Sequence, residues 1–319
     1  MNKNEIINVL AQHDSTVLSF PERGPWGDSR YRGNCSGWIQ GFLVWKYKVK
    51  KLAELFAGSG TGSDVCRDLG IQYVGADLNP NPVRNNILCV DAILDEVPQE
   101  FLGADMVFMH PPYGAEIRIP YAGFMWKDVT GNGKQSDLGQ MPWDQFMKTL
   151  NKIVMKYYAS MDNGARMSIL MGDVRRNGLH SMLNDIVKPG ELEQIIIKMQ
   201  HNTVSGRSGN SYGGNRSFVP LVHEYLLVLK KPDGYIVEYK LPVVYKKDIR
   251  DAKSVTWRDV VYSVMKKLGK ANIDDIYSEV EGHERANAVK DWKAKVRQTL
   301  QIYPKIFKNT ERGVWALAA

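Results

Sequence analysis

The chain has 319 residues, enough for one large domain or two smaller ones. Hydrophobic residues make up 44% of it and charged residues 24%, a balance that excludes disordered and fibrous proteins. Lysine and arginine number 42 against 35 acidic residues, so the formal charge is +7 and an acidic partner is favoured.

Cysteine content and hydropathy indicate the cellular compartment in which the protein works. The three cysteines form no CxxC pair and are too few for a secreted disulfide framework. The opening MNKNEIINVLAQHD is polar, and no stretch approaches the roughly 20 apolar residues of a membrane span. No residues are spaced as a metal-ligand cluster. We therefore expect a cytoplasmic protein that has no membrane segment and needs no metal.

Short apolar runs alternate with amphipathic segments along the first 231 residues, a pattern typical of a parallel sheet covered by helices. The last two runs have no helix between them and predict an antiparallel hairpin at one end of the sheet. The seven predicted strands are Leu52–Phe56, Tyr73–Asp77, Leu88–Val90, Met106–Met109, Ala165–Met171, Glu191–Met199 and Leu221–Leu229.

The first predicted strand runs into a glycine-rich turn, AELFAGSGTG, from Ala53 to Gly62. Glycines there let a ligand approach the backbone, and the following helix N-terminus offers free N–H donors. The second strand ends at Asp77, 19 residues beyond Gly58, where a carboxylate can accept hydrogen bonds from ribose hydroxyls. Asp91 ends the third strand and either accepts from an adenine amino group or closes an Asx turn. The spacing predicts a nucleotide site.

The fourth predicted strand, Met106–Met109, stops at His110-Pro111-Pro112-Tyr113. Two prolines cannot continue a sheet interior, so the chain must leave at the carboxyl end of this strand. Ligands of open α/β sheets bind at that edge, which makes the tetrapeptide a candidate for the reactive part of the site.

The tetrapeptide resembles the [DNS]-PP-[YFW] motif of the amino-methyltransferases, which use S-adenosylmethionine to methylate the exocyclic nitrogen of adenine or cytosine in DNA. The segment ELFAGSGTG looks like their cofactor motif, and Ser19–Trp38 looks like the segment that caps the methionine end of the cofactor. The cofactor motif precedes the catalytic motif, as in the γ-type order. The resemblance covers roughly residues 20 to 231 and implies a Rossmann-like, seven-stranded methyltransferase sheet.

Roles for individual residues follow from this resemblance. The carbonyl of Pro111 and the side chain at position 110 would accept the two amino hydrogens of the target base, and Tyr113 would stack on a base flipped out of the duplex. The implied catalytic residues are His110, Pro111, Pro112 and Tyr113. The implied cofactor-binding residues are Glu54, Phe56, Ala57, Gly58, Gly60, Asp77, Leu78, Asp91, Ala92, Asn34 and Ser36.

Position 110 departs from the family, which usually has Asp, Asn or Ser there. Histidine accepts a hydrogen bond only through an unprotonated nitrogen. We therefore expect the methylation rate to fall as the pH drops through the titration of His110. The departure also leaves open which base is methylated, with N6 of adenine favoured over N4 of cytosine.

Two long connections are candidates for nucleic-acid contact, because long loops in compact domains are commonly functional or mobile. The first is Gly114–Gln140 and the second is the Gly/Ser-rich Asn202–Ser217. Surface loops without a role are the alternative. The candidate contacts in these connections are Tyr121, Trp126, Lys127, Arg207 and Arg216.

The pattern changes after Lys231, and we divide the chain into a methyltransferase domain at 1–231, a linker at 232–253 and a C-terminal domain at 254–319. Residues from Pro232 onward carry +5 of the net charge. Three predicted helices and a final hairpin resemble the winged helix-turn-helix modules of restriction and modification proteins. The predicted contacts to DNA are Lys293 and Arg297 on the third helix and Lys308 on the wing, although a solvated charged helix face or a protein-binding module remains open.

The sequence thus predicts a site-specific DNA methyltransferase that uses S-adenosylmethionine and acts on double-stranded DNA by base flipping. The alternatives are an N4-cytosine enzyme, an RNA or protein side-chain methyltransferase, and a DNA-binding regulator whose catalytic domain has decayed. Enzymes of this kind can be paired with a cognate restriction endonuclease. The sequence leaves that pairing, the recognition sequence and the oligomeric state open.

Overall fold

The computed structural model describes residues 1–31, 33–116, 135–176, 178–201, 219, 221–234, 238–240 and 256–318. The chain forms two compact units, Met1–Pro242 and Val243–Ala319. The boundary between the units falls inside the segment that the sequence divides off as a linker. In the described part of the chain, every helix is too short or too polar to cross a bilayer.

The first unit combines helices with short strands. Its helices are α1 (Lys3–Ala11), α2 (Gly37–Lys46), α3 (Thr61–Leu69), α4 (Trp143–Ala159) and α5 (Met182–Asp185). Its strands are β1 (Val17–Leu18), β2 (Lys51–Leu55), β3 (Gln72–Asp77), β4 (Ile87–Cys89), β5 (Met106–Met109), β6 (Arg166–Met171), β7 (Val174–Arg175), β8 (Leu179–His180), β9 (Lys188–Pro189), β10 (Glu191–Met199), β11 (His223–Lys230) and β12 (Tyr239–Lys240).

Eight of these strands form one sheet in the order β1-β10-β11-β6-β5-β2-β3-β4. Strands β4, β3, β2, β5 and β6 run parallel, whereas β11 is antiparallel to both β6 and β10. The predicted parallel sheet and its terminal hairpin are therefore confirmed. The predicted number of seven strands is wrong by one, because Val17–Leu18 pairs with Ile197–Lys198 at the edge, and two residues are too few to show an alternating pattern.

Helices cover both faces of this sheet, so its central strands are apolar on both sides. Leu52 and Phe108 pack with α1, α2 and α3 in one hydrophobic cluster. Ala53 and Met109 pack with α4 in the other. Strand order reverses between β2 and β5, since β3 and β4 lie to one side of them and β6 to the other. In a doubly wound sheet this switch point is where a ligand crevice opens.

The second unit begins with α6 (Trp257–Leu268), β13 (Lys270–Asn272), α7 (Ile273–Val280) and α8 (Glu284–Asn287). It continues with α9 (Trp292–Ile302), β14 (Phe307–Glu311) and β15 (Val314–Leu317). The three strands form an antiparallel sheet in the order β13-β15-β14. The predicted helices and closing hairpin are present, and α8 and β13 add to them. Val264, Ile276, Val296 and Phe307 are fully buried and form part of its separate core.

Candidate active site

A cleft of about 890 Å³, a volume that includes space open to solvent, lies at the switch point of the large sheet. Its walls include the glycine-rich turn after β2 and the His110–Pro112 segment after β5. Both segments follow the carboxyl ends of neighbouring parallel strands, and Leu55 pairs with Met109 directly before them. The two motifs predicted separately from the sequence therefore meet in one cleft, at the edge of the sheet where ligands of open α/β sheets bind.

Most of the predicted cofactor-site residues line this cleft. They are Asn34, Glu54, Phe56, Ala57, Gly58, Asp77, Leu78 and Ala92, and the cleft also contains His110, Pro111 and Pro112. Gly60, Ser36, Asp91 and Tyr113 are not among its lining residues. Lining residues that the sequence analysis did not single out individually include Tyr31, Cys35, Gln40, Ile93, Asp137 and Leu138.

The glycine-rich turn has a backbone that restricts its residue types. Gly58 has φ +50° and Gly60 has φ +78°, in the left-handed region that favours glycine. Phe56 also has φ +66°, a strained conformation for a bulky residue and one that clusters at functional sites. A Cβ on Gly60 would lie 2.8 Å from Cγ of Arg84, so this glycine shapes the turn into α3 from outside the cleft.

Asp77 occupies the position predicted for it at the end of β3. Its Oδ2 accepts from the Gly58 N–H at 2.8 Å, and its Oδ1 accepts from the Asn79 N–H at 3.0 Å. Burial raises the pKa of Asp77, and these two backbone hydrogen bonds oppose the rise. Each carboxylate oxygen can accept more than one hydrogen bond, so the fixed side chain can also accept from ligand hydroxyls.

Asp91 does not have the predicted contact with the cleft. Its Oδ1 accepts from the N–H groups of Ile93 and Leu94 at 2.9 and 3.2 Å, which closes the turn after β4. This is the Asx-turn alternative, and it directs the carboxylate to its own backbone. The cleft wall here is instead apolar, and it consists of Val90, Ala92, Ile93, Leu138 and Ile153.

Glu54 is a buried carboxylate on the cleft wall, with 3% of its surface exposed. Gln40 Nε2 donates to its Oε1 at 3.1 Å, and the Tyr73 hydroxyl donates to its Oε2. Burial raises the pKa of Glu54 to about 7, although these two hydrogen bonds oppose the rise. A Cβ on Gly62 would lie 2.1 Å from Glu54 Oε2, so with any other residue there α3 or this carboxylate would have to shift.

Of the two predicted cofactor-binding residues in the segment before α2, Asn34 lines the cleft and Ser36 does not. Asn34 Oδ1 accepts from the Thr61 hydroxyl, and its Nδ2 donates to the Asp28 carbonyl at 3.0 Å. Ser36 donates to the Arg23 carbonyl at 3.2 Å and stands at the start of α2, outside the lining. The Ser36 hydroxyl therefore holds the segment in place instead of facing a ligand.

His110 lies on the cleft wall with a buried Nε2 that has no hydrogen-bond partner among the described residues. Burial lowers the pKa of His110 to about 4, and the negative charge of Glu224 only partly opposes the shift. The ring is consequently neutral at pH 7 and can accept a hydrogen bond. From the sequence we expect His110 to titrate near the ordinary histidine pKa. The structure instead places its titration near pH 4.

Tyr113, to which the resemblance gives the base-stacking role, places its ring edge-on to the ring of His110, with 6.4 Å between the ring centres. Its side chain is buried in the core, and its hydroxyl donates to Glu224 Oε1 at 2.7 Å. Glu224 on β11 also forms an ion pair with Lys198, its cross-strand neighbour on β10. Burial opposes ionisation of Glu224, but the nearby charges of Lys198 and His110 and the hydrogen bonds from Lys198 and Tyr113 together outweigh burial and hold the pKa of the carboxyl at about 2. The ion pair thus provides a strong acceptor that fixes the position of the Tyr113 hydroxyl.

Of the residues predicted to contact nucleic acid, the structure describes only those in the second unit. Tyr121, Trp126, Lys127, Arg207 and Arg216 lie outside the described residues. Lys293 and Arg297 are exposed on α9, and Lys308 is exposed on β14. Lys293 Nζ lies 5.3 Å from the centre of the Tyr277 ring, and Arg297 Nη1 donates to the Tyr277 hydroxyl at 2.7 Å.

Asp137 is a cleft residue that sequence reasoning missed. It is 8% exposed, and its Oδ1 accepts from the Gly139 N–H at 2.9 Å. Burial raises its pKa. Its only sequence signal is its place near the end of the long Gly114–Gln140 connection, which we singled out for the aromatic residues nearer its middle.

No family model and no curated protein matches the chain. Similar solved structures include TrmN from Thermus thermophilus, 14% identical, with a TM-score of 0.36 over 63% of this chain and 50% of that one. An RNA methyltransferase from Salinibacter ruber in complex with S-adenosyl-L-homocysteine is 10% identical, with a TM-score of 0.31 over 62% and 93%. A SAM-dependent methyltransferase from Archaeoglobus fulgidus is 12% identical, with a TM-score of 0.32 over 63% and 96%. At such low scores these likenesses assign no activity to the chain.

Proposed function

We propose that this protein transfers a methyl group from S-adenosylmethionine to an exocyclic amino nitrogen of DNA, at N6 of adenine, after base flipping. One observation carries the proposal. The glycine-rich turn with Asp77 and the His110–Pro111 pair line the same cleft, from the carboxyl ends of neighbouring parallel strands. A cofactor and an amino group held by these two walls would be adjacent.

The described residues fit the chemistry of S-adenosylmethionine at each end. Asp77 can accept from ribose hydroxyls, and the apolar wall of Val90, Ile93 and Leu138 can hold an adenine ring. The buried carboxyl group of Glu54 can pair with the ammonium group of the cofactor, because a cation beside this carboxyl would favour its ionised form. When bound, the cofactor supplies an electrophilic methyl group on a sulfonium.

The residues of the second wall act on the amino group. An exocyclic amino nitrogen delocalises its lone pair into the ring, so it becomes a better nucleophile when acceptors hold its hydrogens. Pro111 presents a carbonyl on a rigid frame, and the unpartnered Nε2 of neutral His110 can accept the second hydrogen bond. Positioning and oriented hydrogen bonds of this kind supply most of the rate in such a transfer.

A base in duplex DNA must leave the stack to reach this cleft, at a cost of a few kcal/mol. Stacking on an aromatic side chain returns about 1–3 kcal/mol per base. Tyr113 is the candidate for this stacking, and Tyr121 and Trp126, which follow the motif in sequence, are candidates for closing over the flipped base.

For the second unit we propose a winged-helix domain that grips DNA. The order helix, short strand, helices and hairpin, with β13 paired to the hairpin strand β15, supports this assignment. So does the exposed basic face of α9, where Lys293 and Arg297 lie on a helix that contains no acidic residue. Contacts from such residues go mainly to phosphates and position the duplex without reading its sequence.

Binding and transfer test the proposal separately. Calorimetry with S-adenosylhomocysteine should show binding to the native protein and its loss in Asp77→Ala. Transfer of tritiated methyl groups should occur to unmethylated DNA, not RNA, and should be lost in the variant. Transfer to RNA alone would favour the RNA enzyme. Binding of DNA without binding of the cofactor would favour the regulator.

A further inference from the structure

A small hairpin lies beside the catalytic motif and has no role in the site described so far. Its strands β7 and β8 pair antiparallel, with Arg175 opposite Leu179. It begins at Val174, three residues after β6 ends at Met171. Because β6 runs parallel to β5, the hairpin starts from the same edge of the sheet as His110.

Contacts fix this hairpin to the segment that follows the motif. Arg176 Nη1 donates to the Glu116 carbonyl at 2.9 Å. Glu116 Oε1 in turn accepts from the Trp143 N–H at the start of α4 at 2.9 Å, and the His180 ring packs 4.9 Å from that of Trp143. Glu116 is four residues beyond Pro112, so even an extended chain would place it within about 14 Å of the cleft wall.

The hairpin presents positive charge at this edge. Arg175 and Arg176 are both exposed. The contact with Glu116 uses one of the five N–H donors of the Arg176 guanidinium, which anchors the group while its other edge can meet a ligand. A planar, fixed guanidinium is well matched to phosphate oxygens.

We propose that Arg175 and Arg176 bind the backbone phosphates that flank the target nucleotide. The inference rests on the proposed function, because it names the surface over which the DNA strand enters the cleft. A base held at His110 and Pro111 carries its neighbouring phosphates past this edge of the sheet. The contacts position the strand and carry no base specificity.

Salt dependence of binding tests this proposal, because each neutralised phosphate releases counterions. The test variant is Arg175→Gln/Arg176→Gln. The matched control is Lys48→Gln/Lys50→Gln, which removes two exposed charges just before β2, at the opposite edge of the sheet. Arg175→Lys/Arg176→Lys keeps the charge. Binding of a fluorescein-labelled duplex of random sequence is measured by anisotropy over a range of NaCl concentrations.

We expect the slope of log K against log salt to become shallower by about 1–2 in the glutamine variant, and to be unchanged in the control and in the lysine variant. Binding of S-adenosylhomocysteine, measured by calorimetry, should be equal in all four proteins, which also shows that they are folded. An unchanged slope in the glutamine variant overturns the inference alone. A native protein that binds S-adenosylhomocysteine but no duplex at any salt concentration overturns the DNA part of the proposed function, and the inference with it.

Discussion

The Tyr113 hydroxyl donates a hydrogen bond of 2.7 Å to Glu224 Oε1, and this bond joins the end of the His110–Tyr113 segment to a buried ion pair two strands away in the sheet. Glu224 and Lys198 keep only 7% and 16% of their side-chain surfaces exposed. The His110–Tyr113 segment is thereby anchored at its last residue, and its histidine and both prolines lie on the cleft wall. The aromatic residue of the motif has an anchoring role in this arrangement.

Glu224→Gln should be strongly destabilising, since it leaves the Lys198 ammonium buried without its counter-charge. Breaking a buried pair from one side costs about 3–5 kcal/mol, and partial exposure of Lys198 favours the lower end. Urea unfolding of the first unit measures the loss. Lys198→Met/Glu224→Gln removes both charges and should recover most of the stability. A loss below about 1 kcal/mol in the single variant would contradict the anchoring role.

Gly62→Ala should damage the cofactor end of the cleft. Its Cβ would lie 2.1 Å from Glu54 Oε2, so the helix or the carboxylate must shift, at a cost of about 1–3 kcal/mol. Gly41→Ala is the matched control, because it also lies in a helix and its Cβ would meet nothing closer than 3.7 Å. The control should be neutral or more stable by up to about 1 kcal/mol. Equal melting temperatures for both variants would refute the packing argument.

Glu54 should make cofactor binding depend on pH. Its pKa of about 7 means that the free protein is partly protonated at neutral pH, and the ionised form is the one that attracts an ammonium. Affinity for S-adenosylhomocysteine should therefore fall as the pH drops below about 7, by up to tenfold per pH unit. In Glu54→Gln the affinity should be lower and nearly flat between pH 5.5 and 7.5. The same slope in both proteins would exclude Glu54 as the source.

The stability of the free protein should respond to Glu54 with the opposite sign. A folded-state pKa raised above the ordinary value means that the folded protein binds the proton more tightly than the unfolded chain. This contribution is complete below about pH 4.5 and is lost as the pH rises through 7. Between pH 5 and 8 the native protein should lose a few kcal/mol more stability than Glu54→Gln, as measured by denaturant unfolding at each pH.

His110 should titrate near pH 4. Proton NMR of the imidazole ring, recorded on the folded protein over a range of pH, measures this titration. The methylation rate should consequently show no step from His110 between pH 5 and 8. His110→Asp supplies another acceptor and should retain activity, whereas His110→Leu should lose it. A ring titration between pH 6 and 7 would contradict the burial argument, since an exposed histidine titrates there.

Sequence reasoning located the parts of the molecule that local pattern determines. Strands such as Met106–Met109 are buried on both faces and therefore appear as continuous apolar runs. The glycine-rich turn and Asp77 were placed correctly at the cleft because carboxyl ends of parallel strands share one edge. Residues whose role depends on distant partners were not predictable. Tyr113 meets an acceptor 111 residues away, and burial moves the pKa of His110 well below the value that its sequence suggests.

The chemical nature of the methylated product tests the central claim most directly. Unmethylated genomic DNA is incubated with the protein and S-adenosylmethionine that carries a deuterated methyl group, and the digested nucleosides are analysed by mass spectrometry. We predict N6-methyldeoxyadenosine carrying the label, absent when Asp77→Ala replaces the native protein. Labelled N4-methyldeoxycytidine would move the assignment to cytosine. Digests without any labelled amino-methylated nucleoside, from a protein that binds S-adenosylhomocysteine and DNA, would contradict the claim.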